Sequence, residues 1–307
     1  MATMNLALVH GRSQSGKDEE ELRYYWIGCL ERGFHAAGLR LPEDVQVTFP
    51  FYADALERIV RAVDSPVLAN VLSRGGDATE TTDKIRIDIL QDFLGAQTIS
   101  EKQVLSHLDN PSDRGLQNSQ LILAMLRSLD RIGGGSPIID ALTRDVSIYL
   151  GMGGVQRQIN DIVGSAIKDV PTIVVAHSLG SIIAYNVLAE RASRLPGIPL
   201  FITVGSPLGI RAIATRLRQG TKMPDGVSRW LNARDPHDVV ALHPITFSAG
   251  DQAYLENYSL VENFTANHHG IEGYLTDRTV VSRLDAAFRA SYLSQASPTG
   301  AIEGDKH

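Results

Sequence analysis

Apolar residues gather in short β-branched runs that alternate with longer stretches of helical spacing, and the sharpest such junction lies at residues 172–185. There Ile173, Val174 and Val175 form a run bounded upstream by Pro171, the pattern of a strand buried on both faces. Past Ser178 the apolar positions move to Ile182, Ile183, Val187 and Leu188, one face of a helix. Residues 6–9 predict an earlier strand. Residues 19–34 predict a helix opened by Asp18 and Glu21 as a D-x-x-E capping box. Residues 45–49 predict a second strand, followed after Tyr52 by a helix to about residue 72.

Residues 73–136 are looser. Ile85, Ile87 and Ile89 alternate as in a strand, yet Ile85, Ile89 and Phe93 fit a helix, and continuation through Leu90 and Leu94 favours the helix. Residues 116–129 predict a second amphipathic helix, and Gly133-Gly134-Gly135-Ser136-Pro137 a flexible joint. The stretch reads as a helical insertion over the sheet, with a lid and a plain packing subdomain as its two open roles. Residues 140–150 and 155–167 predict helices interrupted at residues 151–154. Residues 200–204, 230–232 and 258–261 predict three further strands, residues 271–293 a closing helix, and residues 294–307 an unstructured polar tail. Strands alternating with helices imply an α/β fold, a mostly parallel sheet with helices on both faces. Without repeats or a separating linker, residues 1–293 read as one domain.

Composition narrows the function classes. The 307 residues are 43% hydrophobic, enough for a full core, and the net charge of −6 comes without a basic stripe, which argues against nucleic-acid partners. A lone cysteine, Cys29, excludes an internal disulfide and suits a reducing compartment. Its neighbours Trp26, Ile27 and Leu30 predict a buried helix position. The first nine residues lack a secretion signal's charged start and apolar core, and no apolar run approaches a membrane span, so a soluble cytoplasmic protein is expected.

Candidate chemistry centres on Ala176-His177-Ser178-Leu179-Gly180, a G-x-S-x-G elbow with Ala in the first position. A serine on a sharp strand-to-helix turn exposes its hydroxyl, and small residues two before and two after let the turn close. The helix N-terminus just beyond offers backbone N–H groups to a developing negative charge. Ser178 is the candidate nucleophile. Its base and orienting acid are expected later in the chain, in the order Ser, acid, His. Asp235 and Asp238 follow the strand at 230–232, and His268 and His269 precede the closing helix. Two neighbouring residues of an extended loop point to opposite sides, and Gly270 favours a turn that brings His269 to the serine.

The segment Gly11-Arg12-Ser13-Gln14-Ser15-Gly16-Lys17-Asp18 supports two readings. It matches G-x-x-x-x-G-K and misses a phosphate-binding loop at its last position, where Asp18 replaces Ser or Thr. Alternatively it is an oxyanion loop, one N–H coming from Arg12 or Ser13 and the other from Leu179. A nucleotide hydrolase would also need an acidic strand end for magnesium, which Val204-Gly205 does not supply.

Together, H-G-R near the start, A-H-S-L-G, V-G-S-P-L, D-V-V-A-L and N-H-H-G-I-E-G-Y-L resemble the serine α/β-hydrolase superfamily, in its lipase and esterase range, over nearly the whole chain. V-H-G-R-S-Q-S-G-K-D and H-G-I-E-G-Y-L are similar to segments of uncharacterised bacterial hydrolases, which implies no substrate. The resemblance implies an α/β-hydrolase fold and carries Ser178 over as nucleophile. Asp238 is the implied acid, because D-V-V-A resembles the D-x-V-P turn of lipases. His269 is the implied base, from N-x-H followed by G-Y-L, with Asp235 and His268 as alternates. Ala176 for Gly is the one departure. The expected activity is cleavage of a small-molecule or lipid carboxylic ester through an acyl-enzyme, with no metal or organic cofactor needed. Arg12 beside the oxyanion loop either favours an anionic substrate or is a surface residue. The rivals are the nucleotide hydrolase and a catalytically silent hydrolase-fold binding module. Acyl chain, leaving group and oligomeric state are left open.

Overall fold

In β1 (Asn5–Val9), Leu6 and Leu8 pack into one apolar core and Ala7 and Val9 into another. The same alternation runs through β3 (Thr172–His177), where Ile173 and Val175 face the first core and Val174 and Ala176 the second. Both faces are covered, so the strands read as unbroken apolar runs. The computed structural model describes residues 4–63, 77–108, 118–130, 136–191, 197–220, 222–247 and 250–296.

With β2 (Gln46–Thr48), β4 (Phe201–Val204), β5 (Trp230–Ala233) and β6 (Leu255–Tyr258), they form a six-stranded sheet in the order β2-β1-β3-β4-β5-β6, every neighbouring pair parallel. The chain winds outward from β1 to β2, then returns to β3 beside β1 and winds the other way. Order therefore reverses between β1 and β3, and the crevice beyond their carboxyl ends is where open α/β sheets hold ligands.

The helices are α1 (Glu19–Ala36), α2 (Ala53–Val63), α3 (Asp77–Ala96), α4 (Glu101–Leu105), α5 (Asn118–Asp130), α6 (Ser136–Gly151), α7 (Gly153–Gly164), α8 (Leu179–Arg191), α9 (Arg211–Ala214), α10 (Ile271–Leu275) and α11 (Arg278–Ala296). Trp26, Leu30 and Phe34 of α1 share the first core with Leu284 and Phe288 of α11. Cys29 is buried there. Helices α2, α7 and α8 cover the other face, with α6 packed over them and α3 and α5 packed against α6. Every residue of α8 from Leu179 to Ala189 is buried, Ser181 and Asn186 included. Ion pairs Arg86–Asp140 and Arg216–Asp88 tie α3 to α6 and to the segment after α9.

Several sequence expectations are corrected at their boundaries. The last strand is residues 255–258, not 258–261. As an edge strand it buries Leu255 and leaves Glu256 exposed, so its apolar signal is half that of an inner strand. Leu260, assigned to that strand, is 74% exposed. The closing helix is two helices, broken at Thr276 and Asp277, and it continues to Ala296 through the first residues of the expected tail. The break between α6 and α7 is confined to Met152. Residues 64–72, 133–135 and 297–307, predicted as the end of a helix, part of a joint and most of the tail, lie outside the described residues. Asp18 caps α1 as expected, its Oδ1 accepting Glu21 N–H at 2.9 Å. No helix among the described residues is long and apolar enough to cross a membrane.

Candidate active site

Ser178 sits between β3 and α8 at φ 52°, a left-handed conformation rare for a residue with a Cβ. The turn closes because Gly180 lies against β1. A Cβ there would collide with His10 O and stand 2.8 Å from Val9 O. The loop after β1 is equally close. A Cβ on Gly11 would lie 2.9 Å from His177 Nδ1 and 3.0 Å from Ser178 Cβ. The glycine of His-Gly-Arg thus lets the loop reach the elbow.

The loops after β5 and β6 bring the partners. His269 Nε2 lies 3.0 Å from Ser178 Oγ, and His269 Nδ1 lies 2.8 Å from Asp238 Oδ2. With Nδ1–H donating to the carboxylate, Nε2 accepts from the serine hydroxyl. Asp238 Oδ2 also accepts from Tyr274 Oη at 2.6 Å, and Oδ1 from Val240 N–H at 2.8 Å. Burial pushes the Asp238 carboxyl up, but the charge and hydrogen bond of His269, with the bonds from Tyr274 and Val240, outweigh it and hold it below the usual carboxylate range. Gly205 makes room for this assembly: at φ 54°, a Cβ there would stand 3.0 Å from Asp238 Oδ2 and 3.1 Å from His269 Nδ1.

Of the sequence candidates, Ser178, Asp238 and His269 meet. Asp235 and His268 do not join them. Asp235 Oδ1 accepts His237 N–H at 2.6 Å and its Oδ2 accepts Asn263 N–H at 2.7 Å, while His268 Nδ1 donates to Asn263 O at 2.9 Å. Leu179 is the first residue of α8, where a backbone N–H has no partner within the helix. Arg12 and Ser13 line the same cleft as Ser178 and His269, Ser13 at φ 60°. The Arg12 guanidinium is already engaged, Nε donating to Asp145 Oδ2 of α6 at 2.9 Å. This contact competes with any role in holding an anionic substrate.

Residues the sequence reading passed over complete the site. His177 donates from Nε2 to His269 O at 2.8 Å, steadying the loop that carries His269. His10 donates from Nδ1 to Gly11 O at 2.6 Å, accepts Tyr52 N–H at 3.2 Å and stacks on the Tyr52 ring at 4.1 Å. Both histidines stand inside quoted motifs, but their partners are distant in sequence. Burial lowers the pKa of His10 to about 4 and, with the charge of His269, that of His177 to about 3. Both are neutral in the native state and protonate near 6.5 when unfolded. The unfolded chain therefore binds more protons below pH 6.5. Stability is full above that pH and falls by up to about 1.4 kcal/mol per pH unit for each histidine as pH drops towards 4. Urea midpoints at pH 7.5 and 5.0 check this: a clear fall is expected, and equal midpoints contradict it.

The loop at residues 11–17 is tied to α2 and to itself. Ser15 Oγ and Gly16 N–H both donate to Asp54 Oδ1 at 2.9 Å, and Lys17 Nζ donates to Gln14 Oε1 at 2.8 Å. Asp18, Glu19, Glu20 and Glu21 crowd the start of α1, setting carboxylates where a phosphate loop needs positive potential. ATP or GTP with magnesium is therefore expected to leave Tm unchanged, in the parent and in Lys17→Ala alike. Nucleotide stabilisation lost in Lys17→Ala would restore the phosphate-loop reading.

Ser178 and His269 open onto a cleft of about 790 Å³. Leu22, Trp26, Ile138 and Leu142 give it an apolar side, and Gln14 and Asn267 a polar one. Ile138 and Leu142 of this lining belong to α6, beyond the 73–136 segment expected to cover the site. No family model matches the chain, and no curated protein matches its sequence.

Proposed function

We propose that the chain is a serine hydrolase of the α/β-hydrolase class that cleaves carboxylic esters. The observation that carries this reading is the hydrogen-bonded series Ser178 Oγ, His269 and Asp238, at 3.0 and 2.8 Å, with the serine raised on a strained turn beside the sheet's switch point. The order Ser, Asp, His along the chain is that of the class.

In this reading His269 takes the Ser178 proton as Oγ attacks the ester carbonyl, and Asp238 stabilises the imidazolium. Leu179 N–H and the backbone after Gly11 hold the oxyanion. His269 then protonates the departing alcohol, leaving an acyl-enzyme. A water activated by the same ring resolves it. The apolar side of the cleft suits an acyl or alkyl group of moderate size, including a lipid ester.

The test is hydrolysis of a chromogenic ester series of increasing acyl length. Turnover by the parent and none by folded Ser178→Ala is expected. A folded parent inert across the series, or an equally active Ser178→Ala, contradicts the proposal.

A further inference from the structure

Behind the loop that carries Asp238 lies a second cluster of titratable side chains. Asp235, with 1% relative exposure, holds Oδ1 3.2 Å from His237 Nδ1 and Oδ2 3.5 Å from His268 Nδ1. One donor atom from each residue lies within 4.8 Å of the other two. The two rings approach to 5.2 Å between centroids and border a surface cleft of about 710 Å³. Backbone N–H groups of His237 and Asn263 already orient the carboxylate; Oδ1 also faces His237 Nδ1 at 3.2 Å, and Oδ2 keeps a lone pair for a further partner. His268 stands at φ 54°, a strained backbone that keeps its ring on the Asp235 side while His269, the next residue, turns to Ser178. Among the described residues, the ion-pair partners of Asp235 are these two imidazoles.

We propose that Asp235, His237 and His268 bind a divalent transition-metal ion, zinc by preference, which staples the loop carrying Asp238 to the loop carrying His269. Imidazole nitrogen and carboxylate oxygen are ligands that suit zinc. A tetrahedral zinc with bonds of about 2.0–2.1 Å has ligand-to-ligand edges of about 3.3 Å; Asp235 Oδ1 and His237 Nδ1, at 3.2 Å, match one such edge, and His268 Nδ1 lies 3.5 Å from the other carboxylate oxygen. A water on the cleft side fills the fourth position. At both histidines Nδ1 gives up the proton it now directs at Asn263 O or at Asp235 Oδ1, and Nε2 takes one up from solvent, so each ring binds the ion as neutral imidazole with no net proton change. Asp235 lies three residues before Asp238, and His268 directly precedes His269. The ion thus holds the proposed acid and base in register without touching the reacting atoms. All three ligands are positioning residues.

The test reads metal binding itself, so it stands apart from whether the protein hydrolyses esters. Full-length protein cleared with a chelator is titrated with Zn²⁺ by calorimetry and with Co²⁺ by visible absorption. One equivalent per chain, the intense visible bands of four-coordinate cobalt and a higher Tm with zinc are expected. His237→Ala, His237→Gln and His268→Ala should each weaken zinc by about 100-fold or more. The His237 and His268 side chains are 76% and 46% exposed, so folding is not at stake, and circular dichroism verifies it. His269→Ala should bind zinc with parental affinity. No binding by the parent overturns the proposal, as does parental affinity in the His237→Ala/His268→Ala double variant. Binding lost in His269→Ala but kept in that double variant places the ion in the catalytic site and also overturns it.

Discussion

His269→Ala is expected to lower kcat for ester hydrolysis by about 10⁶-fold while leaving the fold intact, and Ser178→Ala to do the same, because members of such a triad act as a unit. His269 holds Ser178 Oγ at 3.0 Å with one nitrogen and Asp238 Oδ2 at 2.8 Å with the other, so its loss removes the proton acceptor and isolates the acid. For the same reason the Ser178→Ala/His269→Ala double variant should be no worse than either single one. Asp238→Asn should cost about 10⁴-fold, since an amide favours the wrong imidazole tautomer. Tyr274→Phe removes one charge-assisted bond to a carboxylate that keeps its others, and about tenfold is expected. The measurement is kcat on one activated ester for the set, with circular dichroism as the folding control. Near-parental turnover in folded His269→Ala, or additive losses in the double variant, would show that the ring is not the base.

Gly180→Ala should destabilise the fold strongly. Its added methyl would meet the carbonyls of Val9 and His10, backbone atoms at the end of a buried strand with no freedom to rotate aside. Overpacking of this kind costs about 3 kcal/mol or more, roughly a 5–10 °C fall in Tm for a domain of this size. Gly95 in α3 supplies the control, because a Cβ there meets nothing within 4 Å. Gly95→Ala should be neutral or mildly stabilising. Differential scanning calorimetry compares the two. A Gly180→Ala protein as stable as Gly95→Ala would mean that the elbow does not need its glycine.

These two positions mark what could be read from the chain before any coordinates. Inner strands announced themselves because both faces are buried: the run through Ile173, Val174 and Val175 carries no polar interruption. The edge strand at 255–258 escaped because half of it faces outward, and Glu256 and Asn257 break the pattern. At the site, the candidate serine, acid and histidine could be placed on loops by strand order, and it is Asp238 and His269, rather than Asp235 and His268, that lie beside Ser178. Tyr274, His177 and His10 were not legible as parts of that site. Each makes a contact whose other end lies far along the chain, and such pairings leave no local period or spacing. The fate of Arg12 was equally a tertiary matter, decided by Asp145 on α6.

The most direct measurement is exposure of the folded protein to a fluorophosphonate, followed by intact mass and peptide mapping. A phosphonyl group bonds to a serine whose hydroxyl is activated by a base beside an oxyanion site, whatever the natural ester. One adduct per chain on the peptide containing Ser178, absent from folded Ser178→Ala, is the expected result. A folded parent that takes up no label, or an adduct that persists in Ser178→Ala, would contradict the assignment of Ser178 as the nucleophile.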